Sequence, residues 1–551
     1  MEVRKPTAQT STAQTSTAQT GTPPRDLRRA CLVASLAGLL AFCLYASTAA
    51  PTVYGLDSAE LTTAAASGGL LRAPGYPVYL MLGGLWSHVW RGARLPGDAG
   101  RAMNLMSAFA GSMTIALLTL LLTHSLGLST LATLGAVGLL AVAKYFWAMS
   151  SIAEVYTLQT ALMAGTLLLF LHWRRRPSWQ RLALATFALA VSAGNQTAAV
   201  LLVPGLVLLV LMRRPRTPRD SASLVAATVA GLAGLAVYLY LPLTAAGEPA
   251  FNYAGHYLED GTFQPLDLSQ PAQLWWLVSG RSFAGLMFDY PPAELAVELG
   301  RLGRDLWNAF FVFGLGPAVL GLIVQWRRDR GLALPSSAMF AVHALFFASY
   351  RVIDKSTMFL PCYLILAIWL ATGYHEMLSW LRSSAAARRL LQALILGIVV
   401  LSAAWTHPQV DLSEDRSARQ EGEAALALAA PGALIISAWS LAPILDYLQI
   451  IEGKRPDVTS INLFLLGPES AQAWVDRELP QRPVYVDRRS LALLSGVEGR
   501  QRGPLYELSA ASAGASSSST ANEVRTNGPT RRSSSTGSSA SAGGSRGSSE
   551  T

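Results

Sequence analysis

Apolar runs of about twenty residues recur along this chain, with clusters of arginine between them. The first runs from about Ala30 to Ala50, behind Arg25, Arg28 and Arg29. It is long enough to span the ~30 Å hydrocarbon core of a bilayer. A cleavable signal peptide has a shorter core, so the run reads as an uncleaved first helix. Further runs fall at 102–123, 127–148, 152–172, 181–212, 221–245, 305–325, 331–349, 356–374 and 390–405. Only 14% of the 551 residues are charged and 51% are hydrophobic, whereas soluble domains carry about 25% charge. Most of the chain therefore belongs in lipid. The net charge of +9 is not a nucleic-acid footprint, because its arginines sit in short clusters that act as topology signals. Cys31, Cys43 and Cys362 all fall in apolar runs and read as small buried hydrophobes, with no disulfide framework.

Two stretches decide the threading. The run 181–212 has 32 residues, which would rise ~48 Å as one helix. Gly194-Asn195-Gln196 interrupts it, so two short crossings are expected. Tyr76–Trp90 is apolar for only fifteen residues. Laid along the surface rather than across the bilayer, it puts the clusters at Arg174–Arg176, Arg213–Arg219, Arg327–Arg330 and Arg382–Arg389 all on the cytoplasmic side. That choice leaves Arg91, Arg94 and Arg101 outside. The expected protein is mainly α and polytopic, with about eleven crossings and surface helices in the first outer loop. Its N-terminus is inside and its C-terminus outside. Asp57, Glu60, Arg72, Glu154, Tyr156, Asn195, Gln196, Arg351, Asp354 and Lys355 then share the outer face.

The first outer loop, "GLDSAELTTAAASGGLLRAPGYPVYL", concentrates charge beside a membrane crossing. Asp57 and Glu60 have capping-box spacing, so one reading is a helix cap. A cap can also present a carboxylate to a cleft. Glu154 opens another apolar run at the same face. Arg72 reads either as a headgroup-binding, snorkelling arginine or as a phosphate ligand. Carboxylates and cations together suit transfer of a sugar from a lipid phosphate. A carboxylate takes the acceptor's proton, and cations hold the departing phosphate. His256 and the six other histidines show no metal-ligand spacing.

Residues 246–300 form a long outer loop with Phe251, Tyr253, Tyr257, Phe263, Trp275, Trp276, Phe283 and Tyr290. These rings either stack on sugars or form an interfacial aromatic belt. "PPAELAVELGRLGRDL" reads as an amphipathic surface helix leading into the next crossing. Residues 408–508 read as a small outer α/β domain. "GALIISAW" and "PVYVDRR" are its strands, with Ser437, Trp439 and Asp446 as possible acceptor contacts. Residues 1–25, a Thr/Ala/Gln repeat, and 509–551, a Ser-rich tail, read as disordered segments flanking a membrane domain at 26–407.

These pieces resemble the GT-C glycosyltransferase fold and, more narrowly, the family called domain of unknown function 2723. Relatives there include an endoplasmic-reticulum protein O-mannosyltransferase. The resemblance is carried by the first-loop stretch through Pro-Gly-Tyr-Pro, then "RAMNLMSAF", "FWAMSSIAEVYTLQ", "SAGNQTAAVLLVPGL", "YLYLPL", "WWLVSGRSF", "YRVIDKSTMFLPCY" and "LDYLQIIEGKRPDV". It covers roughly residues 30–460. Arg72-Ala73 stands where the family usually has His-Pro, and Gln196 stands where it has His. Arginine at 72 keeps a phosphate contact; Gln196 can hydrogen-bond but not titrate.

The resemblance implies a polyprenyl-phosphate-linked sugar donor and a protein or envelope-glycan acceptor. It implies Asp57 as base, with Glu60 and Glu154 orienting Asp57 or the acceptor. Arg72, Arg351 and Lys355 would bind the donor phosphate. Tyr76, Tyr156, Asn195, Gln196, Trp276, Arg281 and Asp354 are candidate substrate contacts. No cofactor is expected and metal-independent transfer is favoured, with a divalent cation left open. A bacterial inner membrane is the expected setting, with the C-terminal domain periplasmic. Two other classes stay in play: a transporter or flippase, favoured by the Gly-Asn-Gln break, and a non-catalytic scaffold for lipid-linked glycan.

Overall fold

Helices of membrane length dominate the computed structural model, which describes residues 27–212, 220–258, 262–310, 314–352 and 355–510. Six helical stretches among these are long and apolar enough to cross a bilayer: Leu27–Thr48, Ala99–Ser125, Val155–Arg175, Ser221–Ala245, Arg330–Ala348 and Ala385–Val410. The sequence reading gave about eleven. The difference lies in interrupted runs. The run 127–148 is two helices, Thr130–Ala141 and Lys144–Met149. The run 181–212 breaks at Asn195-Gln196 into Trp179–Asn195, a 3-10 stretch Thr197–Leu202, and Val203–Leu211. The run 305–325 is divided between Pro292–Ala309 and Leu315–Arg328. Leu360–Trp380 is long enough, but His375 and Glu376 dilute its last turns. Apolar content alone thus overcounts full-length helices wherever the backbone interrupts an apolar run.

The bundle packs through small residues, as membrane helices do. A Cβ on Gly321 would lie 1.8 Å from the Trp369 carbonyl, and one on Gly373 would lie 1.8 Å from that of Pro317. Helices Leu315–Arg328 and Leu360–Trp380 therefore touch backbone to backbone. Cys362 is buried in the second of these, as expected, but Cys31 and Cys43 are exposed. Both lie on the outward side of helix Leu27–Thr48, only 28% of whose most apolar window is covered by protein.

Two surface elements follow the first membrane helix: Asp57–Ser67 and Pro77–Gly92. Asn104 (fully buried) ties the segment that leads into them, residues 50–52, to the bundle. Its Nδ2 donates to the carbonyls of Ala50 and Thr52, each at 2.9 Å, and its Oδ1 accepts from the Ala153 N–H at 2.8 Å. Residues 246–300 carry a short hairpin, β1 (Gly255–Tyr257) with β2 (Phe263–Pro265). They lie against the first loop, where Leu70 bridges Asn252. Gly69 is required there, because a Cβ would come within 2.5 Å of the Phe251 carbonyl oxygen.

After helix Ala385–Val410 the chain builds an α/β segment. Its strands are β3 (Leu434–Ser437), β4 (Thr459–Asn462), β5 (Val484–Val486), β6 (Val497–Arg502) and β7 (Leu505–Ala510), in the order β4-β3-β5-β7-β6. β3 is parallel to both β4 and β5, and β7 runs antiparallel to β5. The strands expected at "GALIISAW" and "PVYVDRR" are β3 and β5; β4, β6 and β7 have weaker apolar runs. β3 is buried along its whole length, and residues through Ser509 pack as one unit. The Thr/Ala/Gln repeat, the Arg213–Arg219 cluster, Asp354 and the Ser-rich tail from 511 lie outside the described residues.

Candidate active site

Asp57 does not cap its helix. The residue before the helix is Leu56, held at φ 58°, and no side-chain cap bond forms. Asp57 is instead the first helical residue, and its carboxylate reaches sideways. Oδ2 accepts from Arg72 Nη2 at 2.7 Å, and Oδ1 accepts from the indole Nε1 of Trp439 at 2.7 Å. Glu60, one turn on, also turns to Arg72. Its Oε1 accepts from the Arg72 backbone N–H at 3.2 Å, and its Oε2 lies 3.3 Å from Arg72 Nε. The acidic spacing read as a capping box is thus a clamp on one arginine.

Arg72 is held on its faces as well. Its guanidinium carbon lies 4.6 Å from the Trp439 ring centre and 5.6 Å from that of Phe283. Cation–π contacts of this kind gain strength when water is excluded. The turn that follows Arg72 closes with the Gly75 N–H on the Arg72 carbonyl at 2.8 Å. Tyr76 then adopts φ 44° before Pro77 opens the next helix. Leu56 and Tyr76, non-glycine residues in the left-handed region, bracket the site, a form of strain common at functional centres.

One positive charge serves two carboxylates here. Burial first, and then the negative charge of Asp57, pushes the Glu60 carboxyl up to about 7, against the pull of Arg72. Burial works against the Arg72 charge, yet Asp57 and Glu60 together hold that guanidinium well above its ordinary value. Burial also pushes the Tyr76 phenol up, with Arg72 opposing and Asp57, Glu60 and Glu154 reinforcing. Glu154 therefore belongs to the same electrostatic neighbourhood. It sits at the start of helix Val155–Arg175, where Ser107 Oγ accepts from its backbone N–H at 3.0 Å. Tyr156 is buried just behind it.

The other candidates separate from this cluster. Asn195 is buried, and its Nδ2 donates to the Val155 carbonyl at 3.1 Å and to Gln159 Oε1 at 3.2 Å. It fastens the helix break to the neighbouring helix. Gln196 is the partly buried residue that ends helix Trp179–Asn195. Lys355 and Arg351 pair with acids other than Asp57 and Glu60. The fully buried Lys355 Nζ lies 3.0 Å from Glu298 Oε2 and donates to Tyr290 Oη at 3.1 Å. Arg351 pairs with Asp289 at 3.0 Å and Glu294 at 3.1 Å, over the Tyr290 ring at 4.4 Å. Both cations are paired with acids of the 246–309 segment, so they anchor that segment to the residues that follow helix Arg330–Ala348. The anchor lies next to the centre in sequence: the Arg351 N–H donates to the Leu286 carbonyl at 2.8 Å, three residues beyond Phe283. Trp276 and Arg281 are exposed on the same loop.

The loop aromatics also divide. Phe251 and Tyr253 pack at 4.5 Å, and Tyr253 meets Trp439 at 5.7 Å. Tyr253 Oη bonds to Asp446 and accepts from Asn462 Nδ2 at 3.1 Å. Burial drives the Asp446 carboxyl up to about 7. Tyr257 packs on Phe263 and on Trp474. Trp439 was marked in the sequence only as a strand-end acceptor contact; its bonds to Asp57 and Arg72 had no local signal. Phe464, edge-on to Trp439 at 5.2 Å, was missed. Among the described residues, no three His, Cys, Asp or Glu side chains gather as a metal-holding group.

Residues 57–219 match the family model described as the protein O-mannosyl-transferase TMEM260 N-terminal domain. The match begins at Asp57 itself. Two similar solved structures are of ArnT from Cupriavidus metallidurans. The one bound to undecaprenyl phosphate has 13% sequence identity and a TM-score of 0.53, covering 88% of this chain and 98% of that chain. The apo structure has 14% identity and a TM-score of 0.53, covering 87% and 96%. At such identities the likeness is one of fold. No curated protein sequence matches the chain.

Proposed function

We propose, for a chain whose residues 57–219 match the family model of the protein O-mannosyl-transferase TMEM260 N-terminal domain, that it is an integral-membrane glycosyltransferase using a polyprenyl-phosphate-linked sugar. The observation that carries this reading is Arg72 clamped between Asp57 and Glu60 at 2.7 and 3.3 Å, beside the ends of membrane-length helices. The undecaprenyl phosphate in the similar ArnT structure supports a lipid-phosphate donor.

In this reading Arg72 holds the donor phosphate. The phosphate competes with Asp57 for the guanidinium, so donor binding frees Asp57 Oδ2. Asp57 then takes the proton of an acceptor hydroxyl. The hydroxyl oxygen forms a bond to the anomeric carbon, the bond from that carbon to the phosphate oxygen breaks, and the lipid phosphate leaves paired with Arg72. Glu60 and Glu154 set the position and charge of this pair. Tyr76 and Tyr156 line the approach, and Trp276 and Arg281 on the later loop contact the acceptor. The acceptor is a protein hydroxyl, in keeping with the domain's description, or an envelope glycan.

Orientation belongs to the same proposal. Helix Val155–Arg175 has Glu154 at one end and Arg174–Arg175 at the other. Its 21 residues rise ~32 Å, about one hydrocarbon thickness. Positive-inside orientation then puts the arginine end in the cytoplasm and the site, with the α/β segment 408–508, on the opposite face. The interrupted helices complete an eleven-crossing path in a bacterial inner membrane. The test is transfer by purified protein from a panel of polyprenyl-phosphate sugars, with Asp57→Asn alongside. Loss of about 10²–10⁴ in rate is expected; full-rate transfer by Asp57→Asn overturns the mechanism.

A further inference from the structure

We infer that Trp439 is a positioning residue of the transfer site: its indole N–H holds Asp57 and its ring face holds Arg72, so the C-terminal sheet completes a centre otherwise built from the first loop. The inference rests on the proposed role of Asp57 as base.

Trp439 stands two residues beyond the carboxyl end of β3, the middle strand of the parallel trio β4-β3-β5. The chain leaves β3 for β4 on one side and returns to β5 on the other. Open α/β sheets bind their ligands at such a switch point, outside the carboxyl ends of the strands. Here the crevice is closed beneath Trp439, where the Ala438 N–H donates to Asp487 Oδ2 at 2.9 Å. The indole is gripped from two further sides. Phe464, just past β4, meets it edge-on at 5.2 Å, and Tyr253 meets it at 5.7 Å. Tyr253 is itself fixed by Asp446 and Asn462.

A ring held this way has one polar atom, and it points at Asp57 Oδ1, 2.7 Å away. A hydrogen bond donated to a carboxylate favours its ionised form. The same ring lies 4.6 Å from the Arg72 guanidinium carbon, which favours a cation at that place. Trp439 therefore does two separable things: it keeps Asp57 ready to accept a proton, and it keeps Arg72 where a phosphate must bind. Neither needs contact with the substrate.

The two actions separate in variants. Trp439→Phe keeps a ring for Arg72 and removes the N–H. The acidic limb of its kcat/KM profile should move up by about one pH unit. Below that limb its activity should be about tenfold lower than wild type, with donor KM little changed. Trp439→Leu removes both, and donor KM should rise about tenfold as well. Phe464→Ala serves as the packing comparison: it loosens the indole but keeps the N–H, so its limb should move by less than that of Trp439→Phe. The assay uses full-length protein in nanodiscs with a polyprenyl-phosphate sugar that the wild type turns over. An Asp57→Asn variant with full activity sinks the parent reading whatever Trp439 does. An inactive Asp57→Asn with a wild-type pH profile in Trp439→Phe overturns this inference alone.

Discussion

Arg72 and Arg419 both join the front of the chain to its C-terminal α/β segment, and their surroundings differ. Arg419 meets Glu452 at 2.6 Å, Glu423 at 2.9 Å and Asp98 at 3.0 Å, and Lys454 supplies a second cation to the two glutamates. Glu452 and Glu423 keep 18% and 40% side-chain exposure. Burial opposes the Glu452 charge, but Arg419 and Lys454 still hold its carboxyl below the ordinary value; Lys454 does most of the same for Glu423. Arg72 has two acids and, among the described residues, no second cation in contact. Glu60 keeps only 3% side-chain exposure, and its carboxyl is pushed up to about 7. The first cluster fastens; the second holds charge out of water that a ligand could rearrange. Burial, not the number of ion pairs, separates them.

The largest break in this comparison should come from the centre itself. Asp57→Asn should lower transfer by about 10²–10⁴ while leaving the fold intact. Arg72→Lys keeps the charge but loses the fork that reaches both acids. It should cost about 10² in kcat/KM, read in the same transfer assay.

The clusters should also answer pH with opposite signs. The Glu60 carboxyl titrates near 4.5 in the unfolded chain and at about 7 when folded. Between those values the folded state binds more protons, so stability falls as pH rises and then levels off. The whole swing is about 3 kcal/mol. Glu60→Gln should abolish it, which thermal unfolding at pH 5 and pH 8 checks against wild type. Glu452 and Glu423 are lowered, so their contribution is present above the ordinary carboxylate range and is lost as pH falls. Arg419→Met should weaken that acid sensitivity, with Lys454 retaining part of it. It should cost about 1–2 kcal/mol of stability and change transfer by less than about threefold.

Much of the site was legible because it is local. Asp57, Glu60 and Arg72 lie within one loop, and membrane threading put that loop on one face. The helix start was misjudged by one residue, because Leu56 takes a positive φ that no sequence rule assigns to leucine. Trp439 joins Asp57 across 382 positions, a pairing that only the fold brings about. Arg351 and Lys355 had the right depth, but depth does not choose partners. Glu294 and Glu298 come from a helix whose amphipathic pattern was readable, while the pairing across space was not. The number of unbroken membrane-length helices fell below the count of apolar runs for a related reason. Apolar content marks a run as lipid-soluble, whereas local breaks such as the one at Asn195-Gln196 decide whether the run is one helix.

Single-turnover transfer in nanodiscs, comparing Asp57→Asn with Arg419→Met on one polyprenyl-phosphate sugar, tests the account most directly. It predicts that Asp57→Asn loses at least about 10²-fold while Arg419→Met stays near the wild-type rate. Equal loss in both variants, or wild-type transfer by Asp57→Asn, would contradict it.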